Sequence, residues 1–244
     1  MKSEAALLEH VLTAQGGLER WQRVQELTVH HTSGGIAFAA KFQGRTLAPR
    51  VAKISTKVQH SVFVPYPPGG SGVFNRGAVR IDTDRGEQIA HRLDARSQLL
   101  RPRHRLWWDK LDLLYFIGSA LWNYAAAPFI FTNAGFELRQ LEPWTEGEEV
   151  WSRLGVTFPP DLHTHSRDQV FYFSADGLLK RLDYTAEEFG MRAAAAHYCF
   201  DHREFGGLVF PTRRRVYLRR GDGRPRRYPL LIWIDIQAVE VTDC

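Results

Sequence analysis

The sequence predicts a mainly β protein in which a strongly curved antiparallel sheet wraps an N-terminal helix and a central tryptophan-rich helix. Three observations carry that expectation. Many short segments alternate apolar and polar residues with the period of two that turns one strand face inward. Tight-turn sequences join several of them, as in Ala175-Asp176-Gly177, Gly206-Gly207 and Gly221-Asp222-Gly223, which favours hairpins over βαβ crossovers. One stretch breaks the pattern: LWWDKLDLLYFIGSALWNY, from Leu106 to Tyr124, is apolar at helical spacing.

The elements follow in order. Residues 3–23 read as an amphipathic helix in two parts. Ser3 is positioned as an N-cap, and Leu7, Leu8, Val11 and Leu12 form a face. Gly16-Gly17 interrupts it, and Leu18, Trp21 and Val24 continue on a second turn. ELTVHHTSG then sets Leu27, Val29 and His31 against Thr28, His30 and Thr32. GIAFAAKFQ is expected to be the next strand, with Ile36, Phe38, Ala40 and Phe42 on one side. Further strands are expected at 49–57, 60–66, 72–76, 78–83 and 86–92, with a loop at Tyr66-Pro67-Pro68-Gly69-Gly70. A basic linker, Arg96 to Arg105, leads into the long helix, and Pro128 closes that region. Strands resume at 136–142, 149–157, 168–174, 178–186, 196–204, 208–219 and 229–241. No linker, low-complexity run or repeat divides the chain, so residues 1–244 are expected to form a single domain.

The long helix points to function. Trp107, Leu111, Leu114, Tyr115, Gly118, Leu121 and Trp122 recur at helical spacing, and Trp108, Leu113, Phe116 and Ile117 widen the stripe. A helix this apolar expects cover on most sides. Asp109, Lys110 and Asp112 make its start too polar for a membrane span. An aromatic helix laid over a curved sheet makes a roofed apolar cavity, which suits a hydrophobic ligand. Trp107, Trp108, Tyr115, Trp122, Tyr124 and Phe38 are the candidate wall.

Composition excludes less than it allows. The 244 residues are 44% hydrophobic with seven tryptophans, ample for a buried core. A net charge of +5 is mildly basic. Arg213, Arg214, Arg215, Arg219, Arg220, Arg224, Arg226 and Arg227 cluster about the Gly221–Gly223 turn. With no reader motif or stacking platform beside it, that cluster reads as a solvated hairpin, and no specific nucleic-acid partner is expected. The two cysteines, Cys199 and Cys244, read as a buried thiol and a free end, which suits a reducing cytoplasm. MKSEAALLEHVLTAQ carries acidic residues within its apolar pattern and does not read as a signal peptide; the expected location is cytoplasmic, without integral membrane association.

Candidate chemistry is sparse. With regular alternation, Phe210, Thr212, Arg214, Val216 and Leu218 share a side, as do Leu230, Ile232, Ile234 and Ile236. His31 and Arg214 then fall among apolar neighbours. A buried arginine needs an acid or an anionic ligand, so Arg214 could anchor a carboxylate; a bulge would instead turn it to solvent. His197, Cys199 and Asp201 alternate along one strand face, about 7 Å between neighbours, too far apart for a nucleophilic set on a straight strand. His197 and Asp201 remain candidates for proton transfer, with His31, and with Asp109 if its two tryptophan neighbours desolvate it. His163 and His165 could begin a metal site, but spacing selects no further ligand among Asp161, Asp168, His197 and His202, so no metal is assigned. No GxGxxG, P-loop, GxSxG or HExxH motif is present, and no cofactor is expected.

Two segments carry a family resemblance. AQGGLERWQRVQELTV, with its Gly-Gly-Leu-x-x-Trp turn into the first strand, resembles the start of LolA-like proteins. HYCFDHREFGGLVFPTRRRVYLR followed by LLIWIDIQAVEV resembles the closing strands of bacterial members of that group. The resemblance implies the LolA/LolB half-barrel, a curved sheet around an apolar cavity closed by helices. That fold is also similar to VioE, a cytoplasmic enzyme that acts without a cofactor. The implied function is binding of a hydrophobic small molecule or acyl chain; the alternative is a cofactor-independent enzyme of small-molecule metabolism using the same cavity.

Overall fold

The computed structural model describes residues 3–44 and 50–244. The chain opens on α1 (Glu4–Ala14) and α2 (Leu18–Arg23). Ser3 caps α1 by accepting from the Ala6 amide, and Leu7, Leu8, Val11 and Leu12 are buried. The break falls at Gly16 and Gly17, both at positive φ, a conformation that glycine adopts without a Cβ penalty.

Strands β1 (Val24–Gly34), β2 (Arg50–Ser55), β3 (His60–Tyr66), β4 (Gly70–Asn75), β5 (Ala78–Asp82) and β6 (Gln88–Arg92) form the first half. The second half holds β7 (Glu137–Glu146), β8 (Glu149–Thr157), β9 (Asp168–Phe173), β10 (Leu179–Thr185), β11 (Ala194–Phe205), β12 (Leu208–Leu218) and β13 (Ile232–Asp243). Three further helices are α3 (Ile36–Ala39), α4 (Ala95–Leu99) and α5 (Lys110–Ala126). All strands join one antiparallel sheet in the order β6-β5-β4-β3-β2-β1-β13-β12-β11-β10-β9-β8-β7. Two meanders therefore meet along β1 and β13. The edge strands β6 and β7 are consecutive in the chain but lie at opposite ends of the sheet, which stays open. The connection between them carries α4 and α5 across the inner face.

Every expected strand but one has a counterpart. The segment expected at 49–57 is β2; residue 49 lies outside the described residues. GIAFAAKFQ is the exception, because it forms α3 and a turn. Phe38 is buried, whereas Ile36 and Phe42 are 49% and 80% exposed, so they do not share a side. The run is alanine-rich, and alanine is the strongest helix former; so short an apolar run does not distinguish helix from strand by period.

The start of α5 is fixed by charge. Asp109 is its N-cap and accepts from the Asp112 amide, while Asp112 accepts from the Asp109 amide in return. The fully buried Asp112 carboxylate also accepts from Arg92 Nη1 and His104 Nδ1, both at 2.5 Å. Farther along, Gly118 lets α5 settle on β4: a Cβ there would lie 2.5 Å from Phe74 Cβ. The main core fills the concave side between α5 and the sheet. A smaller cluster of Trp151, Tyr172, Ala196 and Tyr198 covers the convex side of β8–β11.

Candidate functional site

Beneath α5 runs a seam of small apolar cavities. The first is bounded by Phe116, Ile117, Ala120, Leu121 and Tyr124 from the helix. Phe38, Phe63, Val216, Ile232 and Ile234 face them, with His31 and Ser33 as the polar members. Its free volume is about 30 Å³. A second cavity, about 20 Å³, lies against Leu27, Val29, Ile54 and Phe210 and shares Leu121 and Tyr124 with the first. Arg214 and Tyr124 border both the second cavity and a third of about 10 Å³. Positions 116, 117, 120, 121 and 124 recur at three- and four-residue intervals, which places them on one helix face.

Polar side chains gather at the inner end of the seam. The Arg214 guanidinium sits 5.0 Å over the Tyr124 ring. Its Nη1 donates to Cys199 Sγ at 3.4 Å and its Nη2 to the Tyr124 carbonyl at 3.2 Å. Strand pairing explains the contact, since Arg214 lies opposite Cys199 on β11 and Ile234 on β13. His197 is fully buried, its ring 4.7 Å from that of Tyr124, and neither ring nitrogen has a hydrogen-bond partner. Burial holds it neutral, with its pKa far below the usual histidine value, and Arg214 adds to the effect. His31 is likewise buried with both nitrogens unpartnered. Burial and, secondarily, Arg50 lower its pKa to about 4.

Tyr124 also ends a hydrogen-bonded chain. Its hydroxyl lies 3.0 Å from His165 Nε2 and 3.1 Å from the Tyr184 hydroxyl. His165 Nδ1 lies 3.0 Å from Glu188 Oε1. With Nδ1–H donating to Glu188, the other ring nitrogen, Nε2, accepts from the Tyr124 hydroxyl. Burial raises the pKa of Tyr124, Tyr184 and the Cys199 thiol, so each keeps its proton at neutral pH.

The structure places the sequence candidates unevenly. Arg214, Tyr124, Phe38 and His31 border the seam, and His197 adjoins Tyr124. The other helix aromatics do not line it. Trp107 is 52% exposed, because it precedes the first turn of α5. Trp108 packs on Phe116 and Phe189; the Tyr115 hydroxyl bonds His163 Nδ1; Trp122 Nε1 donates to the Ser55 and Val58 carbonyls. These three are core residues that anchor α5. Asp201 is not paired with His197. It sits at φ 54, a left-handed backbone conformation, between the paired residues Phe200 and His202, while the β11–β12 register continues in step on either side. It is turned outward, where it meets Arg213 at 3.2 Å. Asp109 serves as a helix cap and ion-pairs Arg92 at 2.6 Å, away from the seam. The register across Arg214 is regular, so no bulge turns it out: it is buried while Arg213 is exposed.

The sequence singled out His165 only as a possible start of a metal site; Glu188 and Tyr184 carry no motif that links them to it, since the three come from separate segments. Among the described residues no three His, Cys, Asp or Glu side chains gather as a metal-ligand set. Both cysteines are free, Cys199 buried and Cys244 exposed. Among the described residues no helix is long and apolar enough to cross a membrane. Arg220, Arg224, Arg226 and Arg227 border an open cleft of about 1060 Å³ with Trp144 and Tyr228, sharing no residue with the seam.

No family model and no curated protein matches the sequence. Solved structures do match in three dimensions. A LolA superfamily protein from Nitrosomonas europaea is 11% identical, with 100% of this chain and 96% of that one covered at a TM-score of 0.57. A DUF1329 family protein from Desulfovibrio piger is 12% identical, with 99% and 94% covered at a TM-score of 0.53. The chain thus has a LolA-like fold: an open antiparallel half-barrel with a helix across its concave face.

Proposed function

We propose that the protein binds a hydrophobic small molecule or acyl chain between the curved sheet and α5, in the cytoplasm. The observation that supports this is the seam itself: linked apolar cavities along one face of a helix on a fold shared with a LolA superfamily protein. At about 30 Å³ and 20 Å³ these cavities are far smaller than an occupied ligand site. Binding therefore requires side chains along the seam to move apart. The neutral fluorescent probe N-phenyl-1-naphthylamine tests the reading. Saturable enhancement with wild type, abolished by Ala120→Phe in a variant that still folds, is expected. Non-saturable enhancement, or equal binding by the variant, would refute it.

A second reading, a cofactor-independent enzyme, has one observation in its favour. The Glu188–His165–Tyr124 chain orients a tyrosine proton beside the seam. A molecule released from purified protein by mild denaturation names the substrate to test. Conversion by wild type but not by Tyr124→Phe supports this reading; binding without conversion excludes it for that molecule.

A further inference from the structure

We infer that Arg214 receives the carboxylate head of an amphiphilic ligand whose apolar part lies in the seam. This deepens the binding reading above and rests on it. Arg214 is 2% exposed and, among the described residues, no carboxylate stands within ion-pair distance of it. Its Nε has no hydrogen-bond partner. Among the described residues its acceptors are a thiol sulfur and a main-chain carbonyl, both uncharged. A buried guanidinium left without a counter-charge is strongly destabilising.

The same sheet shows how this chain treats a buried arginine that is structural. Arg181 is fully buried on the convex side. Its Nε and Nη2 donate to Asp183 at 2.6 and 2.8 Å, and its Nη1 donates to the Tyr198 hydroxyl at 3.2 Å. The guanidinium is further enclosed by the faces of Trp144, Tyr172 and Tyr198. Arg181 is neutralised from within the protein and Arg214 is not. Arg214 also borders two cavities, whereas Arg181 borders none of those described above. A ligand carboxylate supplies what is missing: an anionic acceptor for Nε, small enough for a narrow space, joined to an apolar chain that fits the neighbouring surface. His197, neutral and with both nitrogens unpartnered beside Tyr124, adds no competing charge and leaves a ring N–H for a second contact.

Displacement of N-phenyl-1-naphthylamine by decanoate and by decan-1-ol, at pH 8, separates head from tail. Wild type should bind decanoate about 10-fold or more tightly than decanol, the ratio expected for a hydrogen bond to a charged group. Arg214→Gln should erase that preference by weakening decanoate far more than decanol. Arg214→Lys, which keeps the charge without the planar fork, should retain part of it. Equal binding of acid and alcohol by wild type overturns the head-group assignment and leaves the hydrophobic site standing. So does an undiminished preference in a folded Arg214→Gln. Failure of wild type to bind the neutral probe or decanol overturns the hydrophobic site, and this inference with it. The wild-type comparison needs no variant to fold.

Discussion

His31 should make the protein lose stability in mild acid. It is 5% exposed, has no hydrogen-bond partner, and burial holds its pKa near 4 in the folded state, against the ordinary histidine value of 6.5. Folding therefore favours the neutral ring. The contribution is fully present above the unfolded value and is lost as pH falls from 6.5 toward 4, because the unfolded chain binds a proton that the folded chain refuses. At roughly 1.4 kcal/mol per pH unit, the loss between pH 7 and pH 5 is about 2 kcal/mol from this one residue. His197 acts in the same direction. Urea denaturation at pH 7 and pH 5 measures it in wild type and His31→Leu. Carboxylates that titrate in both proteins cancel in the difference, so the variant should lose about 2 kcal/mol less than wild type. At pH 7 the variant should be as stable as wild type or more so, since two unpartnered nitrogens are gone. An identical pH dependence in the two proteins would refute the reasoning.

Two further perturbations test the frame around the site. Asp183→Ala should destabilise the fold by about 3–5 kcal/mol in urea, because it strands the buried Arg181; a loss below about 1 kcal/mol would show that the pair is not holding β10. Gly118→Val should cost about 1–3 kcal/mol and lower the thermal midpoint by pushing α5 away from Phe74, and an unchanged midpoint would contradict the close approach.

Much of the sheet was legible because only one of its faces is lined by a large core. In β12, Phe210, Thr212, Arg214 and Val216 are buried while Arg213 is exposed, so of the two alternatives the sequence left open at Arg214, the straight strand rather than the bulge is the one realised. Of three consecutive arginines on a straight strand, at least one must point inward. The outward turn of Asp201 had no such signature, since one residue in a left-handed conformation re-aims its side chain without shifting the register and without a glycine to mark it. In α5 the difficulty was reversed. The helix is apolar nearly all round, so periodicity identified a buried helix without saying which face met the cavity. Its aromatics at 115 and 122, with Trp108 just before its cap, are anchors, and the smaller face at 117, 120 and 121 borders the seam. The His165–Glu188–Tyr184 group could not be found by spacing, because its members meet only after β10 and the flanking loops pack against the helix.

The seam between β1 and β13 has a consequence for how the molecule is made. Residues 24–34 and 232–243 are the partners most distant in the chain, yet they sit in the middle of the sheet. During synthesis each meander can zip locally as it leaves the ribosome, but the two halves stay unjoined until the last strand arrives. Until then β1 and β12 each present an unpaired edge beside an uncovered apolar surface. That interval is the one in which self-association competes with folding, and the rate at which β13 docks sets how long it lasts.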